Sequence, residues 1–258
     1  MKSIGIALLL SLSLTGCSSV INKITPSEPE LITPAASEFS TLPPPKGGHM
    51  VAAVYGFEDK TGQRKPSDRL AHISTAVTQG AEVWVIEALQ EVGGGSWFKV
   101  VERVGLENLS RERQIIRQTR ESVNDATPVA PMMFAGVLVE GAVVGYDSNT
   151  LTGGAGARYL GVGPSTQYRE DVVTVTMRAV SVQTGEILVS VATTKTIVST
   201  GTNLGVFKFI EMGTENVELE IGNSQNEPVN YAVRVAIEQA VVEMIKEGAV
   251  KGYWAFKQ

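Results

Sequence analysis

Hydrophobic positions change their period several times along this chain, and each change marks an element. Val51 to Phe57 is a short apolar run that reads as a strand. From Ser74 to Val92 the apolar residues Val77, Ala81, Val85, Ala88 and Leu89 fall at helical spacing. Trp97 to Val101 reads as a strand and Gly105 to Thr119 as a second helix. Phe134 to Tyr146 and Val172 to Val182 read as long strands, Gln183-Thr184-Gly185-Glu186 as a turn, and Ile187 to about Val198 as a further strand. A last helix runs from about Pro228, a residue suited to a first turn, to Gly248, with Ala232, Ala236, Ala240 and Met244 on one stripe. The alternation predicts a mixed α+β or α/β core.

Two intervals, about Asn149 to Arg169 and Ser199 to Asn223, do not fit that core. In the first, Leu151, Ala155, Ala157 and Tyr159 alternate with Thr150, Thr152, Gly154, Gly156 and Arg158, and past a glycine-rich tip Val162, Pro164 and Tyr168 alternate with Gly163, Ser165, Gln167 and Arg169. In the second, Val198, Thr200, Thr202, Leu204 and Val206 alternate with Ser199, Gly201, Asn203 and Gly205, and Val217, Leu219 and Ile221 with Asn216, Glu218, Glu220 and Gly222. Limbs of about ten residues with one apolar and one polar or tiny face match transmembrane β-strands. They equally match two long amphipathic hairpins packed on a soluble sheet, and the residues alone leave both readings open.

The N-terminus adds a third pattern. Lys2 precedes an apolar run from Ile4 to Leu14, which closes on Leu14-Thr15-Gly16-Cys17. That is the basic, apolar and small-residue succession of an export signal over residues 1–16, too short for a membrane-spanning helix. Cys17 is the one cysteine of the chain, and its place predicts a cleaved, lipid-bearing first residue of the mature protein. Ser18 stands where an Asp would signal inner-membrane retention, so the expected destination is the outer membrane. From Ser18 to about Gly48 the chain is rich in Ser, Pro and Glu without helical or strand period and reads as a tether.

The net charge of -5 and the absence of a basic run give no footprint for nucleic acid. Catalysis has little to stand on: the histidines are His49 and His72, and there is no Gly-x-Ser-x-Gly elbow or metal-ligand cluster. The glycines from Gly153 to Gly163 lack the Gly-Lys-Ser/Thr ending of a nucleotide loop. No cofactor or metal is expected.

On the membrane reading, one chain supplies four strands, and open strand edges in lipid cost several kcal/mol per unpaired backbone group. Four strands cannot close a barrel, since the smallest have eight, so several copies must form a ring in which the first hairpin of one pairs with the second of its neighbour. Glu218 and Glu220 then face the lumen and recur as acidic rings, which favour cations and repel acidic polypeptide. On the soluble reading they are ordinary solvated glutamates.

The residues resemble the curli secretion channel lipoprotein family, outer-membrane pores that export unfolded amyloid subunits. The resemblance rests on ordered blocks over nearly the whole mature chain, among them Asp59-Lys60-Thr61-Gly62-Gln63, Ser74-Thr75-Ala76-Val77, Val139-Glu140-Gly141, Gly156-Ala157-Arg158-Tyr159, Thr184-Gly185-Glu186-Ile187-Leu188, Gly205-Val206-Phe207 and Asn226-Glu227-Pro228-Val229. It implies nine subunits whose paired hairpins form one wide transmembrane β-barrel above a periplasmic α/β vestibule. The expected organisation is a signal peptide over 1–16, a lipidated tether over 17–48, an α/β part over 49–148, transmembrane hairpins over 149–169 and 199–224 separated by periplasmic strands over 170–198, and a closing helix over 225–258. Transport would be ATP-independent diffusion of unfolded curli-type subunits, biased by periplasmic and surface accessory factors. A non-pore assembly scaffold with the same α/β domain is the alternative.

In this family a loop after the first strand lines a constriction with a Tyr, an Asn and a Phe. Here that loop is 65–74, and aligning its ends puts Ser67 or Asp68 at the Tyr, His72 at the Asn and Ile73 at the Phe, so neither aromatic is kept. The chain also closes at Gln258, where the family carries a further tail.

Overall fold

A computed structural model describes residues 32–36, 38–62, 77–151, 162–208, 217–225 and 229–257; for strand residues 148–151, 162–169, 197–208 and 217–225 it describes backbone and register alone. Cys17 and the loop residues Ser67, Asp68, His72 and Ile73 lie outside the described residues. The fold below belongs to the unit Pro34–Gln258.

The elements in chain order are β1 (Met50–Asp59), α1 (Ala81–Gly95), β2 (Phe98–Val101), α2 (Leu106–Ser122), β3 (Val137–Leu151), β4 (Val162–Ser181), β5 (Ile187–Lys208), β6 (Val217–Gln225) and α3 (Val229–Val250). They build one six-stranded sheet in the order β2-β1-β3-β4-β5-β6. β1 runs parallel to β2 and β3, and the β3-β4, β4-β5 and β5-β6 pairs are antiparallel. The mixed α/β architecture is therefore as the periodicity implies.

One face of the sheet carries the core. Ala52, Val54 and Phe57 of β1, Val139 and Val143 of β3, Val173, Val175, Met177 and Ala179 of β4, and Val189 of β5 are all buried, at roughly 1.5–3 kcal/mol for each large side chain. α1 covers β1 and β2, α3 covers β4 and β5, and the two helices touch each other. The opposite face is open, with Tyr55 and Val144 exposed. Phe57 lies over Gly141, where an added Cβ would collide with the Phe57 ring and the Thr176 carbonyl.

Several boundaries move from those the sequence suggests. α1 starts at Ala81 rather than Ser74, since residues 77–80 are not helical and Gly80 caps the helix. Val77 continued the apolar stripe and is buried, but from a non-helical approach. β3 begins at Val137 rather than Phe134, which is 89% exposed. The sequence boundaries at 148/149, 169/170 and 198/199 fall inside unbroken strands, so the hairpins continue the core strands instead of being inserted between them.

The second half of the expected tether is also different. From Ala35 to Pro45 the chain is a strap on the domain, with Phe39 and Leu42 buried. Gly93 donates to the Phe39 carbonyl at 2.9 Å, Trp97 Nε1 to Pro43 at 2.9 Å and Lys257 to Pro44 at 2.8 Å. Prolines offer acceptors without donors, so this aperiodic stretch is satisfied by side chains and the C-terminal tail rather than by a ladder. Gly93 sits at φ +60 against Trp97 and the Leu42 carbonyl, a turn that only glycine makes cheaply.

The strap also explains a buried charge. α3 is buried on nearly all sides, and within it Arg234 Nε meets Glu238 Oε1 at 3.1 Å with both residues at 5% exposure or less. Glu238 Oε2 accepts the backbone N–H groups of Ala35 at 2.8 Å and Ala36 at 2.9 Å. The carboxylate is thus satisfied on both oxygens, the condition under which a buried ion pair is tolerated. Nearer the helix end Lys246 pairs with Glu38, and that hydrogen bond raises the lysine above its ordinary value of 10.5 against a smaller opposing effect of burial.

Two outcomes follow. Arg234→Met leaves Glu238 buried without its cation and is expected to cost about 3–5 kcal/mol in denaturant unfolding, with Glu238→Gln milder because it keeps an acceptor for the strap. A lysine raised in the folded state stabilises below its unfolded value and loses that contribution as pH climbs through the folded one. The denaturant midpoints of wild type and Lys246→Met should therefore differ by a constant amount below pH 10.5 and converge above it.

Candidate functional site

β4 and β5 pair without a break from Val162↔Val206 to Ala179↔Val189, so each strand face can be followed from the core to the hairpin tips. One row begins as the buried core positions Val189, Val191 and Thr193 of β5 and Val173, Val175 and Met177 of β4. Continued in steps of two, it becomes Asp171, Arg169, Gln167, Ser165 and Gly163 on β4, and Lys195, Ile197, Ser199, Gly201, Asn203, Gly205 and Phe207 on β5. β6 adds Ser224, Gly222, Glu220 and Glu218 in register with Gly201, Asn203, Gly205 and Phe207. The apolar core row has turned polar or tiny.

The other row does the reverse. Around the core it carries Arg178, Thr176 and Thr174 of β4 and Ser190 and Thr194 of β5. Beyond Glu170 it carries Tyr168, Thr166, Pro164 and Val162 beside Val198, Thr200, Thr202, Leu204 and Val206, and β6 adds Gln225, Asn223, Ile221, Leu219 and Val217. Among the described residues no ionisable group other than Tyr168 stands on it between Glu170 and Lys208. The uncharged stretch from Val198 to Val206 spans about 27 Å at strand rise, close to the ≈ 25 Å band of a membrane barrel.

The exchange happens at one level of the sheet. There Asp171 is buried and its Oδ2 lies 3.3 Å from the Tyr146 hydroxyl of β3, and Lys195 is half-buried one step along β5. Below this level α3 covers the row, with Thr193 Oγ1 donating to the Ala236 carbonyl at 2.8 Å. Beyond it the row is polar or tiny apart from Ile197 and Phe207.

Two strand edges accompany these faces. β1 follows β3 only as far as Asp59↔Val143, and β6 pairs with β5 alone, so among the described residues no strand pairs with the far half of β3 on the side away from β4 or with β6 on the side away from β5. Unpaired edges are templates for another chain. Among the described residues no helix is long and apolar enough to cross a membrane, and no group of His, Cys, Asp and Glu is placed to hold a metal ion.

The loop 65–74, which carries Ser67, Asp68, His72 and Ile73, lies outside the described residues, but the chain on either side of it, up to Gly62 and from Val77, does not. Asp59 Oδ1 accepts from Thr61 N at 2.8 Å and from Thr61 Oγ1 at 2.6 Å, while Asp59 Oδ2 accepts from Gln79 Nε2 at 3.1 Å. One carboxylate thus clasps both ends. The sequence reading used Asp59 only as part of a motif; an Asp followed two residues later by Thr is the signal of an Asx turn that would have found it. Beside it, Glu58 is held below its ordinary value by the hydrogen bond and charge of Lys60. Glu218 and Glu220 are brought together on the polar row by register, on a different strand pair from the loop.

The family model described as "Curli production assembly/transport component CsgG" matches residues 35–258. The curli production assembly/transport component of Salmonella typhimurium is 41% identical over 253 residues, covering 96% of this chain and 89% of that one. Its counterpart in Escherichia coli is 41% identical over 247 residues, covering 93% and 87%. Among solved structures, a PelC dodecamer from Paraburkholderia phytofirmans aligns over 84% of this chain and 93% of that chain at 13% identity with a TM-score of 0.28, an overlay too loose to carry an argument.

Asp59→Ala should free both ends of the loop without disturbing the core. Backbone amide exchange at Thr61 is expected to rise about tenfold, the size of one or two lost hydrogen bonds, with faster exchange of the Gln79 side-chain amide, while the melting temperature stays near wild type.

Proposed function

We propose, from the premise that this chain belongs to the curli production assembly/transport component family, that it is an outer-membrane lipoprotein whose copies close into a channel for unfolded curli-type subunits. The observation that carries this reading is the exchange of polar and apolar faces in unbroken register along β4 and β5. A soluble sheet has no reason to turn its core row polar and its solvent row apolar. A wall with water inside and lipid outside has that reason.

On this reading β3 with β4, and β5 with β6, are the two hairpins. The free edge of β3 in one copy meets the outer edge of β6 in the next, which supplies the partners that lipid does not. Repeated around a closed ring this leaves no edge; nine copies is the number the family resemblance implies. Glu218 and Glu220 then face the lumen as acidic rings. Cys17 carries the lipid that holds each copy at the membrane.

The loop 65–74, clasped by Asp59, turns into the ring, where Ser67 or Asp68, His72 and Ile73 form the collar in place of aromatic residues. A collar of serine or aspartate is wider or more charged than one of tyrosine, and Ile73 keeps an apolar ring. Passage is diffusive and needs no nucleotide, with accessory factors on either side giving direction.

Detergent-extracted particles viewed by electron microscopy should show rings with a central hole. Unperforated particles that stay in aqueous buffer once Cys17→Ser removes the lipid would instead establish the scaffold. In planar bilayers, conductance between pH 5 and 8 should follow the titration of an imidazole ring. His72→Ala should flatten that profile, and identical profiles would remove His72 from the collar.

A further inference from the structure

The polar row of the hairpins is not electrically uniform. At its base, where the core ends, register places Asp171 and Arg169 on β4 and Lys195 on β5. Gln167, Ser165 and Gly163, with Ser199, Gly201, Asn203 and Gly205 beside them, carry no charge. At the far end Glu220 stands opposite Gly205 and Glu218 opposite Phe207. Among the described residues the base thus holds two cations and one anion, and the far end two anions. From Lys195 to Gly205 is about 33 Å at strand rise, several screening lengths at physiological salt.

Resting on the channel reading above, we infer that the lumen is a charge-graded conduit: a basic collar at Arg169 and Lys195 near the folded domain, which engages carboxylates of a passing chain, and an acidic mouth at Glu218 and Glu220, which repels them. Each charge recurs once per copy, so a net unit per subunit becomes a ring. An acidic stretch of polypeptide is held at the base and expelled at the mouth. A basic stretch meets the opposite order, so the lumen sorts segments by charge and by position.

A conduit graded in this way rectifies. Single channels of the full-length protein in planar bilayers, in about 10 mM KCl where the screening length is about 30 Å, should pass about twofold or more current at one polarity than at the equal and opposite one, each channel in one fixed sense. In about 1 M KCl, where that length is about 3 Å, the ratio should fall to about one. The paired variant Glu218→Gln/Glu220→Gln should lose most of the rectification, and Arg169→Gln should lessen it while leaving the cation preference of the mouth. Open channels with symmetric currents at low salt, or a paired variant that rectifies like wild type, would overturn the grading and leave the channel standing. Absence of any unitary conductance would overturn the channel reading, and the inference with it.

Discussion

Backbone groups need partners, and in this sheet the pairing of β4 with β5 supplies them without a break over about 60 Å of strand. That ladder is the element on which everything else is hung. Its lower half is the floor of a two-layer core under α1 and α3. The bond that ties α3 to the ladder, from Thr193 to the Ala236 carbonyl, lies in that lower half. Because the register does not slip between Val162 and Ala179, a residue's face is fixed by its parity over that length, and chemistry alone distinguishes the two halves.

The same ladder makes the lower half demanding. α3 sits on β4 and β5 with Ala232, Ala236 and Ala240 small enough to let it approach, and Thr193 bonds directly to the Ala236 carbonyl. α1 and the strap close its remaining sides, which brings Arg234 and Glu238 out of water. The strap is therefore not decoration: its Ala35 and Ala36 amides complete the shell of Glu238. The strap and a buried ion pair meet at that carboxylate, so the chain is gripped by the core within twenty residues of Cys17.

Local periodicity made much of this legible. The helical stripes of α1 and α3 and the alternation of Val217, Glu218, Leu219, Glu220 and Ile221 each announce an element, and the α/β class follows from their order. What was not legible is what depends on tertiary partners. Ala35 to Pro45 has no period because, beyond two local turn bonds, its bonds go to Trp97, Gly93, Glu238 and the C-terminal tail. Ser74 to Gly80 reads as helix because Val77 shares the phase of Ala81 and Val85, whereas the described residues 77–80 approach α1 without helical turns, with Gln79 held by Asp59. The exchange at Asp171 and Lys195 needs the register between strands, which no single strand contains. Glu218 and Glu220 lay on a clean alternation, so their common face was legible, but the polar company of Gly205, Asn203 and Gly163 was visible only across three strands.

On the channel reading proposed above, open edges set the order in which such a molecule can assemble. In water the far half of β3 and the outer side of β6 are solvated at little cost, so a single copy can fold its core and wait. In lipid each unpaired group costs several kcal/mol, and about ten residues of strand on each edge make insertion of one copy prohibitive. Edges must therefore be joined before or while the hairpins enter the bilayer, and joining two copies still leaves two edges open. Only closure removes the last pair, so the penalty falls away at the final subunit rather than gradually. The lipid proposed for Cys17 would suit that all-or-none step: it would keep folded copies beside the membrane at high local concentration until the ring could close, and the strap's grip on Glu238 would keep the folded domain attached to it.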